Sequence, residues 1–306
     1  MRDKIDHTID VVSRVLYGKE LQVRQALACL LSQGHLLIED LPGMGKTTLA
    51  HALARVLGLD YQRVQFTSDM LPADLLGVSV FDASQTEFRF HKGPVFTQLL
   101  LADEINRTSP KTQSALLEAM EEHQVSLEGQ TYALPEPFFV IATQNPLSQY
   151  GTFPLPESQL DRFLMRIELG YPTAQAEREL LMGGDARARI PELPVCIELA
   201  DLSDIYRACA QVKASASLLD YLQRLVSYSR EAEGFAYGIS PRGALALLKT
   251  ARTWAYMEGR QYVVPEDLQA LMPAVFGHRL RSADDYTERG GLALVQRLLT
   301  EVDVVA

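Results

Sequence analysis

Cysteine is scarce in this sequence, and long hydrophobic runs are missing from it. Three cysteines among 306 residues are too few, and odd in number, for a framework of disulfides. No run of about 18 apolar residues is present, so no membrane-spanning helix is predicted. The N-terminal segment is charged throughout and lacks the apolar core of a signal peptide. Together these features predict a cytoplasmic protein that keeps its thiols reduced.

The sequence also has no excess of positive charge. The chain has 29 basic and 39 acidic residues, which gives a formal net charge of −10. General nucleic-acid binders carry a strong basic excess, so this balance argues against nucleic acid as a partner but leaves a local basic patch open. The six histidines show no spacing typical of metal ligands, and no cysteine accompanies them in such a pattern.

The hydrophobic pattern divides the chain into two parts. In the first part, short apolar runs alternate with amphipathic segments, which predicts a doubly wound α/β domain with a mostly parallel sheet. Strands are predicted at 35–39, 96–102, 138–143 and 163–169, and helices at 5–33, 46–57 and 110–123. Beyond residue 172 the pattern predicts helices, with a surface loop at 183–194. We therefore expect an α/β domain at 1–172 and a smaller all-helical domain at 173–306.

One segment between a predicted strand and a predicted helix has the composition of a phosphate-binding loop. Its residues are Asp40, Leu41, Pro42, Gly43, Met44, Gly45, Lys46 and Thr47, and Thr48 follows in the helix. Gly43 and Gly45 lack a Cβ atom, so backbone N–H groups can approach phosphate oxygens closely. Lys46 supplies a cation for the terminal phosphates of ATP, and Thr47 supplies a hydroxyl for Mg²⁺. The general pattern has glycine where this chain has Asp40.

Two further strand ends carry polar residues suited to the same chemistry. Asp103 and Glu104 follow the apolar run at 99–102, where one carboxylate can hold a phosphate-bound Mg²⁺ and the next can polarise an attacking water. Asn145 follows the run at 138–143 and would emerge on the same edge of the sheet, within reach of a terminal phosphate or the water. From these segments alone, two alternatives remain. Asp103 and Glu104 can begin a solvated loop, and Asn145 can be a turn residue before a proline.

The order of these motifs along the chain resembles that of the AAA+ ATPases. The phosphate loop, the Asp-Glu strand end and the strand-end asparagine are followed by Leu160-Asp161-Arg162-Phe163 and by Ser240-Pro241-Arg242. More narrowly, the segments at 39–47, 101–107, 111–122, 144–146 and 153–163 are similar to those of the MoxR family. The similarity covers almost the whole chain and is densest between residues 36 and 172.

The resemblance implies a role for each residue at the predicted sheet edge. Asp103 and Thr47 would hold Mg²⁺, and Glu104 would be the catalytic base. Asn145 would be the sensor-1 residue. The phosphate loop would bind ATP, and the departure at Asp40 bears on the affinity for ATP rather than on binding as such.

The resemblance also assigns residues outside that edge. Arg162 would be an arginine finger that enters the site of the neighbouring subunit, and Arg242 would be the sensor-2 residue. Contacts to the adenine would come from Val15, Leu16, Tyr17 and Gly18. On the residues alone, a surface salt bridge is the ordinary fate of an arginine, and that alternative stays open for both arginines.

Two segments with the alternation of β-hairpins complete the pattern. One pairs residues 78–82 with 87–92, and the other spans 125–134 around Glu128-Gly129-Gln130. They resemble the helix-2 insert and the pre-sensor-1 hairpin of the AAA+ clade that also includes magnesium chelatases and replicative minichromosome helicases. Decorative surface hairpins are the alternative interpretation.

The function implied by the resemblance is ATP hydrolysis with Mg²⁺ by a ring of identical subunits, expected to be a hexamer. The family implies a chaperone-like role, in which the ring remodels or activates a client or assists insertion of a metal or cofactor. A von Willebrand factor A domain protein is the expected partner, and the client stays unidentified. A DNA-associated motor and a nucleotide-dependent switch are the alternatives. The hairpin at 125–134 has no lysine or arginine, which argues against the motor, and the Asp103-Glu104 pair argues against the switch.

Overall fold

Helices and strands alternate in the first part of the chain, and helices dominate the rest. The structure, a computed structural model, describes residues 1–84, 86–146, 151–183, 186–283 and 288–305. The elements up to the last strand of the main sheet are α1 (Arg2–Ser13), α2 (Glu20–Leu31), β1 (Leu36–Glu39), α3 (Lys46–Val56), β2 (Tyr61–Gln65), α4 (Pro72–Leu76), β3 (Gly77–Asp82), β4 (Glu87–Lys92), β5 (Leu99–Asp103), α5 (Pro110–Glu122), β6 (Gln124–Leu127), β7 (Gln130–Ala133), β8 (Phe139–Gln144), α6 (Glu157–Leu160) and β9 (Met165–Ile167). They are followed by α7 (Ala174–Gly183), α8 (Leu199–Gln211), α9 (Ala216–Glu231), β10 (Phe235–Tyr237), α10 (Pro241–Met257), α11 (Pro265–Phe276), β11 (Arg281–Ser282) and α12 (Glu288–Glu301).

The main sheet has five parallel strands in the order β2-β5-β8-β1-β9. Its three central strands are buried along their whole length, which explains their continuous apolar runs. The register places Glu39 beside Gln144 and Gln65 beside Asp103. Because parallel strands all end on the same edge, the segments that follow β1, β5 and β8 meet there.

The two faces of the sheet belong to different hydrophobic cores. Leu36 and Ile38 of β1 join a core with α1, α2, α3 and the later helices, whereas Leu37 joins a core with α5 and the second hairpin. Leu49 and Leu53 of α3 are fully buried in the first core. This packing fixes α3 against the sheet, so that its N-terminus lies at the edge where the strands end.

Three elements differ from the sequence-based prediction. The helix predicted at 5–33 is two helices, because the chain turns between them and Gly18 takes a φ of 67°, which favours glycine. Strand β2 was not predicted, because this edge strand is mostly exposed and forms no apolar run. The loop predicted at 183–194 contains a 3-10 helix at Ala186–Glu192.

The helices predicted beyond residue 172 are present. Among them, α10 packs against α2, α8 and α11, and so ties the later helices to the start of the chain. Strands β10 and β11 form a small antiparallel sheet that contacts α9 and α12. The hydrophobic pattern did not indicate this sheet. Within the described ranges, no helix combines the length and the hydropathy needed to cross a bilayer. The domain boundary at residue 172 stays a prediction.

Both predicted hairpins are present, β3 with β4 and β6 with β7. Phe90 of the first hairpin stacks on Tyr132 of the second, with 4.2 Å between the ring centroids. Phe81 and Phe88 of the first hairpin meet edge to face and are 50% and 69% exposed. The two hairpins are therefore packed together, and the first presents an aromatic pair to solvent.

A buried histidine joins β1, α5 and β8. Nε2 of His35 lies 3.1 Å from the carbonyl oxygen of Met120, and Nδ1 accepts the N–H of Val140 at 3.0 Å. A neutral ring with its proton on Nε2 satisfies both contacts. Burial lowers the pKa of His35 to about 4, and burial also lowers the pKa of His278.

We expect the folded state to lose stability as the pH falls from about 6.5 toward 4. The unfolded chain protonates His35 near its ordinary pKa of 6.5, whereas the folded chain holds the ring neutral down to about 4. The stability that depends on a neutral His35 is therefore fully present above the pKa of the unfolded chain. The difference between the unfolded and folded pKa values corresponds to about 3 kcal/mol in the free energy of unfolding. Urea unfolding near neutral pH and at about pH 5 measures this loss of stability. We expect the stability of His35→Leu to depend less on pH. Equal stability at both pH values would contradict this account.

Candidate nucleotide-binding site

The phosphate loop connects β1 to α3 at the edge where the strands end. Gly43 and Gly45 have φ values of 86° and 94°, in the left-handed region that glycine adopts without strain. A Cβ atom added at Gly43 would meet nothing within 4 Å, whereas one at Gly45 would lie 2.9 Å from Cδ1 of Leu16. The space in front of Gly43 is therefore open, and the N–H groups of the first turn of α3 lack intrahelical partners, which suits an anion.

Lys46 is buried beneath this loop. Its Nζ donates to the carbonyl oxygens of Asp40 at 2.7 Å and Gln144 at 3.1 Å. Burial lowers the pKa of Lys46, while the negative charges of Asp40, Asp103 and Glu104 act in the opposite direction. The ammonium group thus lies at the strand ends with two backbone acceptors that phosphate oxygens can replace.

Asp40 occupies the position where the general pattern has glycine, and its carboxylate joins the loop to the end of the sheet. One carboxylate oxygen accepts the N–H of Leu41 at 2.7 Å, and the other accepts the N–H of Gly170 at 2.6 Å. Lys19 donates to the next carbonyl along the chain, that of Tyr171, at 2.6 Å. Asp40 therefore anchors the phosphate loop to the segment that follows the last strand.

Asp103, at the end of β5, is buried and oriented from both neighbouring strands. Its Oδ1 accepts a hydrogen bond from the hydroxyl of Thr143 on β8 at 2.6 Å. Its Oδ2 accepts from Nη2 and Nε of Arg63 on β2, at 2.7 and 3.1 Å. The position of this carboxylate is therefore fixed, and Arg63 is its charge partner.

Glu104 leaves the line of the strand. Its φ of 57° is uncommon for a residue with a Cβ atom, and its N–H donates to the hydroxyl of Thr143 at 2.9 Å. Its Oε2 accepts from Nε2 of Gln65 and from Nη1 of Arg107, both at 2.9 Å. Two donors therefore hold the Glu104 carboxylate at the sheet edge, next to Asp103.

Asn145 lies one residue beyond β8. The carbonyl oxygen of the preceding Gln144 accepts from Nζ of Lys46 and from the N–H of Asp40, at 3.1 and 3.2 Å. The carbonyl oxygen of Asn145 itself accepts from Nδ2 of Asn106 at 3.4 Å. These contacts place the backbone of Asn145 beside the phosphate loop.

A cavity of about 320 Å³ lies beside the phosphate loop. Its lining combines the segment predicted to contact adenine with the loop and the start of α3, through Val15, Leu16, Tyr17, Gly43, Met44, Gly45 and Thr48. Pro172 and two leucines of α7 also line it. Gly18, Pro42, Lys46 and Thr47 belong to the same segments without being among its lining residues. The structure thus brings both predicted segments to one cavity.

The 3-10 helix at Ala186–Glu192 adds two arginines to this region. Arg187 lines the cavity, and its Nε lies 3.4 Å from the hydroxyl of Thr48. Arg189 donates to the phenol oxygen of Tyr17, and its guanidinium lies 5.7 Å from the centroid of that ring. Both cations therefore face the segments that line the cavity.

Arg162 and Arg242 lie together at a second cavity, which is also lined by the residues that precede β1. Both pair with Glu121 of α5, Arg162 at 3.0 Å and Arg242 through the other carboxylate oxygen. The hydrogen bond from Arg242 and the charges of both arginines hold the pKa of Glu121 below its ordinary value. The two arginines line a cavity of about 300 Å³ that also includes Lys249 and Arg279, and neither lines the cavity beside the phosphate loop.

Comparisons with known proteins agree with this geometry. Residues 35–165 match the model of the ATPase family associated with various cellular activities (AAA), and residues 227–297 match the AAA lid domain. The uncharacterised protein YeaC of Bacillus subtilis is 43% identical and covers 97% of this chain and 93% of its own. Chaperone MoxR1 of Mycobacterium tuberculosis is 40% identical over 90% of this chain and 75% of its own. The chain belongs to the MoxR family of AAA+ ATPases.

A solved structure supports the same conclusion. The crystal structure of a protein from Cytophaga hutchinsonii, described as an ATPase, superimposes with a TM-score of 0.87 at 36% identity, over 99% of this chain and 95% of that one. The predicted fold class is confirmed by the parallel sheet and by the match to the lid domain. Membership of the MoxR family supports ATP hydrolysis as the activity.

The residues of this MoxR-family site fit a nucleotide with its Mg²⁺. The open space at Gly43 admits a phosphate, Lys46 reaches the loop, and Asp103 offers a buried carboxylate. In the part of the chain that the structure describes, no group of three or more His, Cys, Asp or Glu could hold a metal ion alone. If Thr47 and Asp103 held Mg²⁺ together with the phosphates of a nucleotide, no such cluster would be needed, because Mg²⁺ in nucleotide sites keeps few protein ligands.

Four polar side chains at the MoxR-family site were not predicted. Arg63 and Gln65 lie on β2, the strand that has no apolar run, and Arg187 and Arg189 lie on the segment predicted to be a loop. One signal could have found the first pair, because a doubly wound sheet needs a strand between α3 and β5. No comparable signal marks the second pair.

We expect Asp40→Gly, which restores the usual glycine of the loop, to lower stability more than ATP affinity. The substitution leaves the N–H groups of Leu41 and Gly170 without their carboxylate, a loss of about 1–3 kcal/mol for hydrogen bonds to a charged group. The carboxylate does not line the cavity beside the phosphate loop, so the Kd for ATP should change by less than about tenfold. Thermal unfolding and calorimetry measure both, with Asp40→Asn as the milder variant. Much tighter ATP binding at unchanged stability would instead indicate that Asp40 repels phosphate.

Proposed function

We propose that this protein is a Mg²⁺-dependent ATPase that works as a ring, expected to be hexameric, and uses hydrolysis to remodel or activate client proteins. The observation that carries the proposal is the separation of Arg162 and Arg242 from the phosphate loop of their own subunit. One subunit holds groups that can bind phosphates and orient water, whereas these two cations line a different cavity. A ring would supply them from the neighbouring subunit through a heterologous interface.

In the proposed reaction, Lys46 and the N–H groups of the loop bind the phosphates of ATP. Thr47 and Asp103 would hold Mg²⁺, which when bound would supply positive charge at the terminal phosphates. Glu104 orients the attacking water and accepts its proton, with the carboxylate held at the sheet edge by its two donors. Asn145, which follows the strand that contacts Lys46, hydrogen-bonds the terminal phosphate or the water. Catalysis then rests on positioning and on charge.

We further propose that Arg162 and Arg242 neutralise charge at the ATP of the neighbouring subunit. Glu121 keeps the two guanidinium groups side by side, and its own side chain is 34% exposed. Ion pairs near the surface are weakly held, so phosphate oxygens can replace the carboxylate. Glu121 would thus present both arginines until a neighbour binds.

The client-directed part of the proposal rests on the family. The similar protein of Mycobacterium tuberculosis bears the name of a chaperone, which supports a role in remodelling other proteins. The resemblance extends the proposal to insertion of a metal or cofactor into the client and to a von Willebrand factor A domain protein as partner. The three free cysteines agree with a reducing compartment such as the cytoplasm.

A phosphate-release assay tests the activity and separates it from a DNA motor. We expect hydrolysis that needs Mg²⁺, stops on chelation and is unchanged by duplex or single-stranded DNA. The second hairpin carries Glu128 and no lysine or arginine, so it offers no cation to a DNA backbone. Strong stimulation by DNA would favour the motor, and ATP binding without phosphate release would favour a switch.

Shortening the second hairpin should separate client activation from basal hydrolysis. Val125 and Tyr132 lie opposite each other, so an Asn-Gly turn can replace residues 126–131 and keep the stack of Tyr132 on Phe90. If the hairpin contacts clients, basal hydrolysis should stay within about twofold while stimulation by a von Willebrand factor A domain protein is lost. Phosphate release with and without that protein measures this. A lower basal rate together with a lower Tm would favour the decorative interpretation.

A further inference from the structure

A lid arginine, Arg279, is buried against the segment that carries Arg162. Arg279 lies between α11 and β11, and its side chain is 4% exposed. Its Nε donates to Oδ1 of Asp161 at 2.7 Å, and its Nη2 donates to the carbonyl oxygens of Phe163 at 2.7 Å and Asp161 at 3.2 Å. Its Nη1 donates to the carbonyl oxygen of Leu164 at 3.2 Å. One guanidinium therefore binds the backbone on both sides of Arg162.

A second residue of the lid reinforces this hold. Nε2 of the buried His278 lies 3.1 Å from the carbonyl oxygen of Phe163. Arg279 also packs against the start of α10, because a Cβ atom added at Gly243 would lie 3.1 Å from Cδ of Arg279. Gly243 directly follows Arg242. Arg279 therefore contacts both segments that carry the paired arginines, Arg162 and Arg242.

The chemistry of this contact requires arginine. A guanidinium offers five N–H donors in one plane, whereas a lysine has one ammonium group that cannot reach acceptors spread over four residues. Burial lowers the pKa of Arg279, and the hydrogen bond and charge of Asp161 act in the opposite direction. A cation buried to this degree is retained only where it is paired and hydrogen-bonded, as it is here.

We propose that Arg279 is a positioning residue that aims Arg162 and thereby lets the lid of one subunit set the hydrolysis rate in the next. Glu121 holds only the tip of Arg162, whereas the point from which this side chain extends depends on the backbone that Arg279 fixes. A lid movement would shift that backbone, and a displacement of about 1 Å in a catalytic group can cost 10²-fold in rate. The inference rests on the proposed function, in which Arg162 acts in the neighbouring site.

A mixing experiment tests the positioning role in the assembled protein. Subunits with Lys46→Ala have a disabled site of their own and can donate Arg162, whereas subunits with Arg162→Ala can only accept it. We expect Arg279→Lys added to the donor to lower the recovered hydrolysis about 10²-fold. The same change added to the acceptor should leave the recovery within about twofold, because that subunit contributes no finger. Equal effects in donor and acceptor, or none in either, would overturn the proposal.

A matched control and a second measurement complete the test. Arg281→Lys in the donor alters another contact between lid and core, the Arg281–Glu157 pair at 3.4 Å, and should leave recovery unchanged. If Arg279→Lys does not fold, Asp161→Asn in the donor is expected to show the same donor-specific defect.

Amide hydrogen exchange at residues 161–164 tests the hold of Arg279 on the segment independently of the ring. We expect exchange at least about tenfold faster in Arg279→Lys, with the sheet unchanged, and unchanged exchange would overturn the proposal. If Lys46→Ala subunits co-assemble with Arg162→Ala but restore nothing, the action of Arg162 in the neighbouring site is wrong, and the control of that site by Arg279 falls with it. If they restore activity and Arg279→Lys in the donor changes nothing, the positioning role alone is wrong.

Discussion

Glu104→Gln is expected to keep ATP bound while hydrolysis falls by about 10²–10⁴-fold, the contribution typical of a general base. The substitution removes the group that accepts the proton of the attacking water, and it leaves Asp103 with its three hydrogen bonds from Arg63 and Thr143. Glutamine has nearly the same shape, so the fold and the phosphate loop should be unaffected. The variant should also accumulate in the ATP-bound ring, if ATP lies at the subunit interface.

Two measurements separate binding from turnover in this variant. Calorimetry with ATP should give a Kd within a few-fold of the wild type, and phosphate release should give the loss in rate. Glu118→Gln, at an exposed carboxylate of α5, is the control and should hydrolyse ATP normally. Normal turnover by Glu104→Gln would place the catalytic base elsewhere, and loss of ATP binding would show that Glu104 supports the loop instead.

The phosphate loop and the strand ends could be predicted because each is a local pattern. Gly43, Gly45 and Lys46 stand together in the sequence, and buried strands such as β5 give uninterrupted apolar runs. Strand β2 could not be predicted in the same way, because only Val64 of its five residues is buried. As a result, Arg63 and Gln65, which hold the two carboxylates, were missed.

The contacts that join distant segments could not be predicted from one sequence. Asp40 meets Gly170 across 130 residues, and Arg279 meets Asp161 across 118. The hydrophobic periodicity of one segment does not predict such pairs, because they depend on how the later helices pack against the sheet. The break at Gly18 was missed for a related reason, since apolar residues on both sides continue the helical spacing and only the backbone turn separates the helices.

Arg162→Ala is expected to bind ATP nearly normally and to hydrolyse it about 10³–10⁵-fold more slowly, the range found for arginine fingers of other NTPases. The physical reason is that charge spreads over the transferred phosphoryl oxygens, and a guanidinium there stabilises it. Because Arg162 pairs with Glu121 and does not line the cavity beside the phosphate loop of its own subunit, its removal should not disturb a nucleotide bound at that loop. ATP affinity and phosphate release of the purified variant measure both effects.

A control variant distinguishes this role from a structural salt bridge. Glu121→Gln removes the carboxylate partner of Arg162 and keeps the arginine. If the ion pair only stabilised the subunit, the two variants would lower the Tm alike and hydrolysis would follow stability. We expect Glu121→Gln to retain hydrolysis within about tenfold, because a pair near the surface contributes little, while Arg162→Ala loses nearly all of it.

The most direct test of the central claim is the hydrolysis rate of a mixture of Lys46→Ala and Arg162→Ala subunits. We expect neither variant to be active alone, the first because it cannot hold the phosphates and the second because it supplies no finger. In rings assembled at random from equal amounts, about a quarter of the heterologous interfaces pair an intact Lys46 with an intact Arg162 from the neighbour. The account predicts that mixing restores hydrolysis toward that fraction of the wild-type rate. Co-assembled rings that stay inactive would contradict it.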